Sequence, residues 1–291
     1  MPAGKEGPVI ENLWGLDDQI GRTVTAAHGL SGWLLGRTSQ LLYDKAFLES
    51  SPRQATRVVR WALDIDISEE EARRRFGDGA LFMIWVAWRD QVRIQRFNPV
   101  LSGRGDVIDT LRRLQHTPKK KRKRVLEYLI EEVGHLIGNE TKARKESRVE
   151  PPDVDSQIDS AIEVAYRVRE WLEDHCGSCP PPDTSETEAL RILGDYELYV
   201  VWTGYRDAVR LTWFQPVREI SGRVLEAAKE FVLSPAETGE EHLGQALAEM
   251  KRLKRAEREC AALFPKYISA GTVHPPYEGP DEKQGEHNAP A

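Results

Sequence analysis

SEEEARRRFGDGALFMIWVAWRDQVRIQRFNPV, residues 68–100, returns 117 positions later as SETEALRILGDYELYVVWTGYRDAVRLTWFQPV, residues 185–217. The match extends without a gap over 68–107 against 185–224, with 18 of 40 positions identical, where chance gives about two or three. The chain therefore carries a tandem duplication. Upstream, ATRVVRWALD (55–64) pairs with AYRVREWLED (165–174), after which the second copy inserts HCGSCPPPDT. SGWLLG (31–36) is echoed by VGHLIG (133–138), and Thr117-Pro118 matches Ser234-Pro235.

Helix punctuation recurs in both copies. Ser68 with Glu71, and Ser185 with Glu188, are capping boxes that start a short helix. Gly77 and Gly194 end it, and Asp78 and Asp195 cap the next one. That second helix is broken at Asn98-Pro99 and Gln215-Pro216, because a residue before proline disfavours the helical region. Thr117-Pro118 and Ser234-Pro235 then cap a last helix, with a capping box from Ser234 to Glu237. In that helix Leu126, Leu129, Val133 and Leu136, or Leu243, Leu247, Met250 and Leu253, recur at helical period. Few period-two strands appear. The expectation is an all-α helical bundle of two tandem pseudo-symmetric repeats, preceded by a helix pair that packs on the first copy.

The central helices carry the core. Met83, Ala87, Asp90, Ile94 and Phe97 form one stripe, and Val200, Gly204, Asp207, Leu211 and Phe214 its counterpart; Trp85, Trp88, Trp202 and Tyr205 widen the apolar girth. Small residues at 87 and 204 predict close approach of these two helices around a pseudo-twofold axis, inside one continuous core.

Composition bounds the function classes. The 291 residues are 40% hydrophobic and 30% charged with net charge −6, a globular profile that does not suggest a general nucleic-acid coat. The N-terminus lacks signal-peptide order and no apolar run approaches bilayer length, so the expectation is a cytoplasmic protein without membrane contact. Residues 1–12 and the Pro-rich tail 265–291 read as flexible ends. The organisation is 13–146 for the N-terminal helices and repeat 1, 147–156 for a linker, and 157–264 for repeat 2. Three cysteines exclude a disulfide framework.

The candidate sites begin with the repeated RDxVR: Arg89, Asp90 and Arg93, and Arg206, Asp207 and Arg210. A buried carboxylate must be paired, so these are ion pairs of the core. The sharper alternative gathers four arginines with Trp85, Trp88, Trp202 and Tyr205 around a planar anion, as in a ligand-binding or enzymatic bundle. His175, Cys176 and Cys179 give one CxxC with a neighbouring His. Zinc needs four ligands, with His242 and Cys260 as further candidates, and a connecting loop is the plainer reading. Glu132 and His135 form an E-x-x-H resembling half of the motif set of carboxylate-bridged di-iron bundles; the twin positions are Glu249 and Arg252. Arg22 and His28 stand at an R-x5-H spacing that resembles some all-α ribonucleases, a likeness of two residues. No phosphate loop or nucleophile motif appears, so no cofactor is expected.

The remaining feature is the run Lys119, Lys120, Lys121, Arg122, Lys123 and Arg124. Cations at a helix start oppose its dipole, whereas the twin copy places Glu237, Glu240 and Glu241 there. This asymmetry predicts a non-enzymatic interaction or regulatory subunit that binds an acidic protein partner, which could be a neighbouring copy of the chain. Binding of a nucleic-acid backbone is the alternative, without sequence specificity, since no aromatics are interleaved for base stacking.

Overall fold

The computed structural model describes residues 15–46, 64–77, 79–146 and 153–263; they form helices joined by short turns, with no strand among them. The protein is an all-α bundle. Helix α1 (Leu16–Ala46) precedes the duplicated block. The first copy supplies α2 (Glu69–Phe76), α3 (Ala80–Arg93), α4 (Asn98–His116) and α5 (Arg122–Glu146). The second supplies α6 (Val154–Cys176), α7 (Glu186–Leu193), α8 (Tyr196–Val209), α9 (Gln215–Leu233) and α10 (Ala236–Leu263). Among the described residues no helix is long and apolar enough to cross a membrane. The expectations for residues 1–12, for the upstream match at 55–63, for linker residues 147–152 and for the tail after Pro265 lie outside the described residues. The end of the expected linker is a helix start instead: Asp153 caps α6, accepting from the Ser156 amide at 3.0 Å.

Local chemistry explains the boundaries. Ser68 and Ser185 accept from the amides of Glu71 and Glu188 at 3.1 and 3.3 Å, which fixes the starts of α2 and α7. Gly77 and Gly194 end these helices at φ 74° and 64°, a region that a Cβ disfavours. Asp195 caps α8 through the amides of Glu197 and Leu198; Asp78 lies outside the described residues, and Gly79 stands at the cap of α3. The side chain of Glu237, in the third expected capping box, also lies outside them.

The proline junctions differ from expectation. Asn98 and Gln215 keep right-handed helical φ, −51° and −52°, although each precedes proline. Two 3-10 turns, Ile94–Phe97 and Arg210–Phe214, carry the change of direction, with Phe97 and Phe214 at φ −93° and −95° and ψ 6°. Pro99 and Pro216 then fall in the first turn of α4 and α9, where a missing N–H has no helical partner to lose. Thr117 does not cap α5. Its hydroxyl donates back to the Arg113 carbonyl at 2.7 Å, and a 3-10 turn, Lys119–Lys121, precedes the helix.

Helices α1, α3, α6 and α8 form one four-helix layer, in which α1 and α6 each pack on both α3 and α8. The central helices α3 and α8 are therefore diagonal neighbours, not the intimate pair expected. They touch where Gln91 Nε2 donates to the Gly204 carbonyl at 3.1 Å. Gly204 instead admits α1: a Cβ there would lie 2.6 Å from Leu30 Cδ1. The N-terminal helix thus packs on both copies, where the sequence suggested only the first. The second layer joins the hairpin α4–α5 to the hairpin α9–α10.

Buried apolar residues form two clusters, each drawing on both copies, in place of the single continuous core expected. The division has a visible cause along α3. Ile84 to Trp88 belong to one cluster, and Ile94 and Phe97 beyond the helix end to the other, while Arg89, Asp90, Gln91 and Arg93 are buried between them.

Candidate functional site

The six charged residues of the two RDxVR motifs are each no more than 6% exposed. Burial at that level requires partners, and the chain supplies them. Arg89 Nε donates to Asp90 Oδ1 at 2.7 Å and its Nη2 to Glu69 at 2.9 Å. Arg206 holds both oxygens of Asp207 at 3.0 and 2.9 Å and reaches Glu186 at 2.9 Å. The last arginine of each motif turns to a backbone carbonyl, Arg93 to Ile65 at 2.5 Å and Arg210 to Pro182 at 2.8 Å. Glu69 and Glu186, like Ile65 and Pro182, stand 117 residues apart. The repeated sequence therefore repeats its bonds.

Aromatic faces complete each cluster. Trp85 and Trp202, both fully buried, lie under Arg89 and Arg206 with guanidinium-to-centroid distances of 5.0 and 4.9 Å. The Trp202 indole donates to the Pro180 carbonyl at 2.8 Å; the matching position, Leu63, lies outside the described residues. Burial pulls the Arg89 and Arg206 pKa values down, but Asp90 and Asp207 outweigh it and hold both above the usual range. Arg93 and Arg210 are pulled down to about 10 by burial and by the adjacent Arg89 and Arg206 charges. All four remain cations at neutral pH. They are committed to separate anchor points, Glu69 and Ile65 in one copy and Glu186 and Pro182 in the other, which is the geometry of two internal ion-pair clusters.

Four residues that sequence reading did not single out complete this belt. Gln19 Nε2 and Thr23 Oγ1 of α1 donate to the Asp207 carbonyl at 2.7 and 2.9 Å. Gln157 Nε2 of α6 donates to the Asp90 carbonyl, and Ser160 Oγ to the Asp90 carboxylate, both at 2.9 Å. The helix before the first copy thus serves the second copy's motif, and a helix of the second copy serves the first's. A signal was present: DDQI at 17–20 and DSQI at 155–158.

The basic run lies on the surface. Lys119, Lys120, Lys121, Lys123 and Arg124 are exposed, and among the described residues their side chains make no hydrogen bond or ion pair. Arg122 is half-buried and donates to the Thr117 carbonyl at 3.0 Å. Tyr128 and Ile130 beside the run are 49% and 47% exposed.

The remaining candidates are not brought together. His175 Nδ1 lies 2.9 Å from the Trp171 carbonyl, its ring 4.1 Å from that indole. Cys176 is half-buried, and burial, followed by the Glu173 charge, pushes the Cys179 thiol up to about 12. Cys260 belongs to the other layer, its thiol 3.4 Å from the Trp213 carbonyl, and His242 faces Glu230 at 3.0 Å. Among the described residues no three His, Cys, Asp or Glu are placed to hold a metal ion. His135 is exposed, while Glu132 engages the Tyr128 hydroxyl. Glu249 pairs with Arg223 and Arg252. Arg22 is half-buried and His28 exposed; six helical residues leave their directions about 120° apart.

A cleft of about 710 Å³ opens between the start of α1 and helices α4, α6, α9 and α10. Burial, with Asp18 and Asp109 nearby, raises the pKa of Asp17 on its wall. Arg112 bridges Asp109 at 3.0 Å and Glu257 at 2.5 Å. The same pattern recurs 117 residues on: Lys229 bridges Glu226 at 2.9 Å and Glu140 at 2.8 Å. Both cross-copy pairs are reciprocal. Comparison of the chain with known protein families, with curated proteins and with solved structures finds no match.

Proposed function

We propose that the protein is a non-enzymatic helical interaction subunit whose turn between α4 and α5 receives an acidic protein partner. The observation that carries this reading is the contrast between two sets of cations. The belt arginines are each matched by a carboxylate or a carbonyl, whereas five of the six residues at 119–124 reach into solvent unmatched. Residues 110–126 hold eight Lys or Arg and no Asp or Glu. Such a concentration of one sign repels itself, and an acidic surface that docks on it relieves that repulsion and gains steering. Tyr128 and Ile130 add exposed apolar area beside the charges, as a protein contact wants.

Binding of a nucleic-acid backbone is the second reading, favoured by the same five exposed cations at 119–124. The test replaces Lys119, Lys120, Lys121, Lys123 and Arg124 by Gln and measures capture on immobilised polyglutamate and on duplex DNA. Polyglutamate binding is expected to weaken about tenfold or more, with duplex binding weak in both proteins. Unchanged capture of polyglutamate contradicts the reading; tight duplex binding with a salt slope of several ions replaces it with the alternative.

A further inference from the structure

We propose that the acidic partner is a second copy of this chain, which docks the turn between its α9 and α10 onto the basic turn between α4 and α5. The proposal rests on the reading of the basic turn as a protein contact and names what it contacts. The two turns are twins in the duplication, but opposite in sign. Residues 227–243, the counterpart of 110–126, carry one lysine against four glutamates. Glu230, Glu240 and Glu241 are exposed there. Leu233, at the end of α9, is 73% exposed, more than the other large hydrophobic side chains among the described residues. An acidic rim around an apolar tip faces, in a second molecule, a basic rim beside Tyr128 and Ile130.

Within one molecule these surfaces are not paired: among the described residues Lys119, Lys120, Lys121, Lys123 and Arg124 make no ion pair with Glu230, Glu240 or Glu241. Phe97, Val100 and Arg104, at the start of α4, share a pocket with Leu225 and Lys229 in the later half of α9. Ile108 and Arg112, later in α4, share the large cleft with Val217 and Ser221 at the start of α9. The two helices therefore cross, the early part of each lying toward the later part of the other. The described residues of one molecule thus leave its basic turn unsatisfied by its acidic one. Successive molecules can satisfy it, and a contact between unlike surfaces leaves a free basic turn at one end and a free acidic turn at the other, so it propagates into rings or open chains.

The experiment uses the full chain and two charge reversals. One variant carries Lys→Glu at 119, 120, 121 and 123; the other carries Glu→Lys at 230, 240 and 241. These side chains are exposed, so both variants should fold, which circular dichroism checks. Sedimentation velocity of the unaltered protein at low ionic strength should show mass rising with concentration beyond a dimer, with association weakened about tenfold or more by physiological salt. Each variant alone should be monomeric, and their equimolar mixture should associate again. A chain that stays monomeric at every concentration while 119–124 still captures polyglutamate overturns self-association and leaves the acidic-partner reading standing. Loss of both removes both. Association that survives either reversal overturns the assigned surfaces.

Discussion

Asp90 and Asp207 show how one residue type decides the interior of this protein. Each is a carboxylate placed in the middle of an otherwise apolar helix, each is at most 4% exposed, and each is met by the arginine that precedes it. The pair is not a net gain over a well-packed apolar pair, because desolvation offsets much of the attraction. Removing one member is a different matter. Asp90→Ala leaves Arg89 and Arg93 buried without their carboxylate and is expected to cost about 3–5 kcal/mol, read as a lowered denaturant midpoint. A midpoint unchanged from wild type contradicts the ion-pair assignment. The motif itself is visible in RDxVR, and its need for partners follows from elementary electrostatics. Its partners are only half visible: Glu69 and Glu186 sit beside legible capping serines, whereas the carbonyls of Ile65 and Pro182 have no side-chain signature.

The boundaries of α2 and α7 and the start of α8 followed from caps and glycines because those signals act within a turn of chain, whereas Thr117 did not cap α5. The partnering of helices did not follow from such signals, because it depends on shape. Gly204 looked like a close-approach site between α3 and α8, and it is one for α1: a Cβ there falls 2.6 Å from Leu30 Cδ1 and 3.0 Å from Leu30 Cγ. Gly204→Ala is therefore expected to destabilise the protein by about 1–3 kcal/mol, despite the helix propensity that alanine adds. Adding Leu30→Val, the residue type at Val168 in α6, should return part of that loss in a thermal or denaturant melt. A fully additive double variant would show that Leu30 is not what the glycine accommodates. The correspondence of α1 with α6 escaped the sequence reading for a concrete reason. Gln19 and Gln157 are 138 residues apart while the capping serines are 117 apart, so the helix lies outside the register of the main match. Burial restores the correspondence: Gln19, Ile20, Thr23, Ala27, Leu30 and Leu34 in α1, and residues 138 further on in α6, are all buried.

The molecule as a whole is two layers of helices separated by a polar belt, with both copies present in both layers. The belt is bonded crosswise: α1 to the second copy's motif, α6 to the first copy's. The ion pairs Arg112–Glu257 and Lys229–Glu140 cross between copies as well. Such interleaving implies that neither copy holds its own core, so the chain should open as one unit despite its two hydrophobic clusters. Charge is distributed differently. It is the outer turns that diverge, basic after α4 and acidic after α9, while the interior stays matched between the copies. The most direct test is native-state hydrogen exchange on the Asp207→Ala variant, with peptides from Ala80–Arg93 and Tyr196–Val209 compared. The interleaved architecture predicts that the slowest amides of both helices lose the same protection free energy; loss confined to Tyr196–Val209, with Ala80–Arg93 as protected as in wild type, would contradict it.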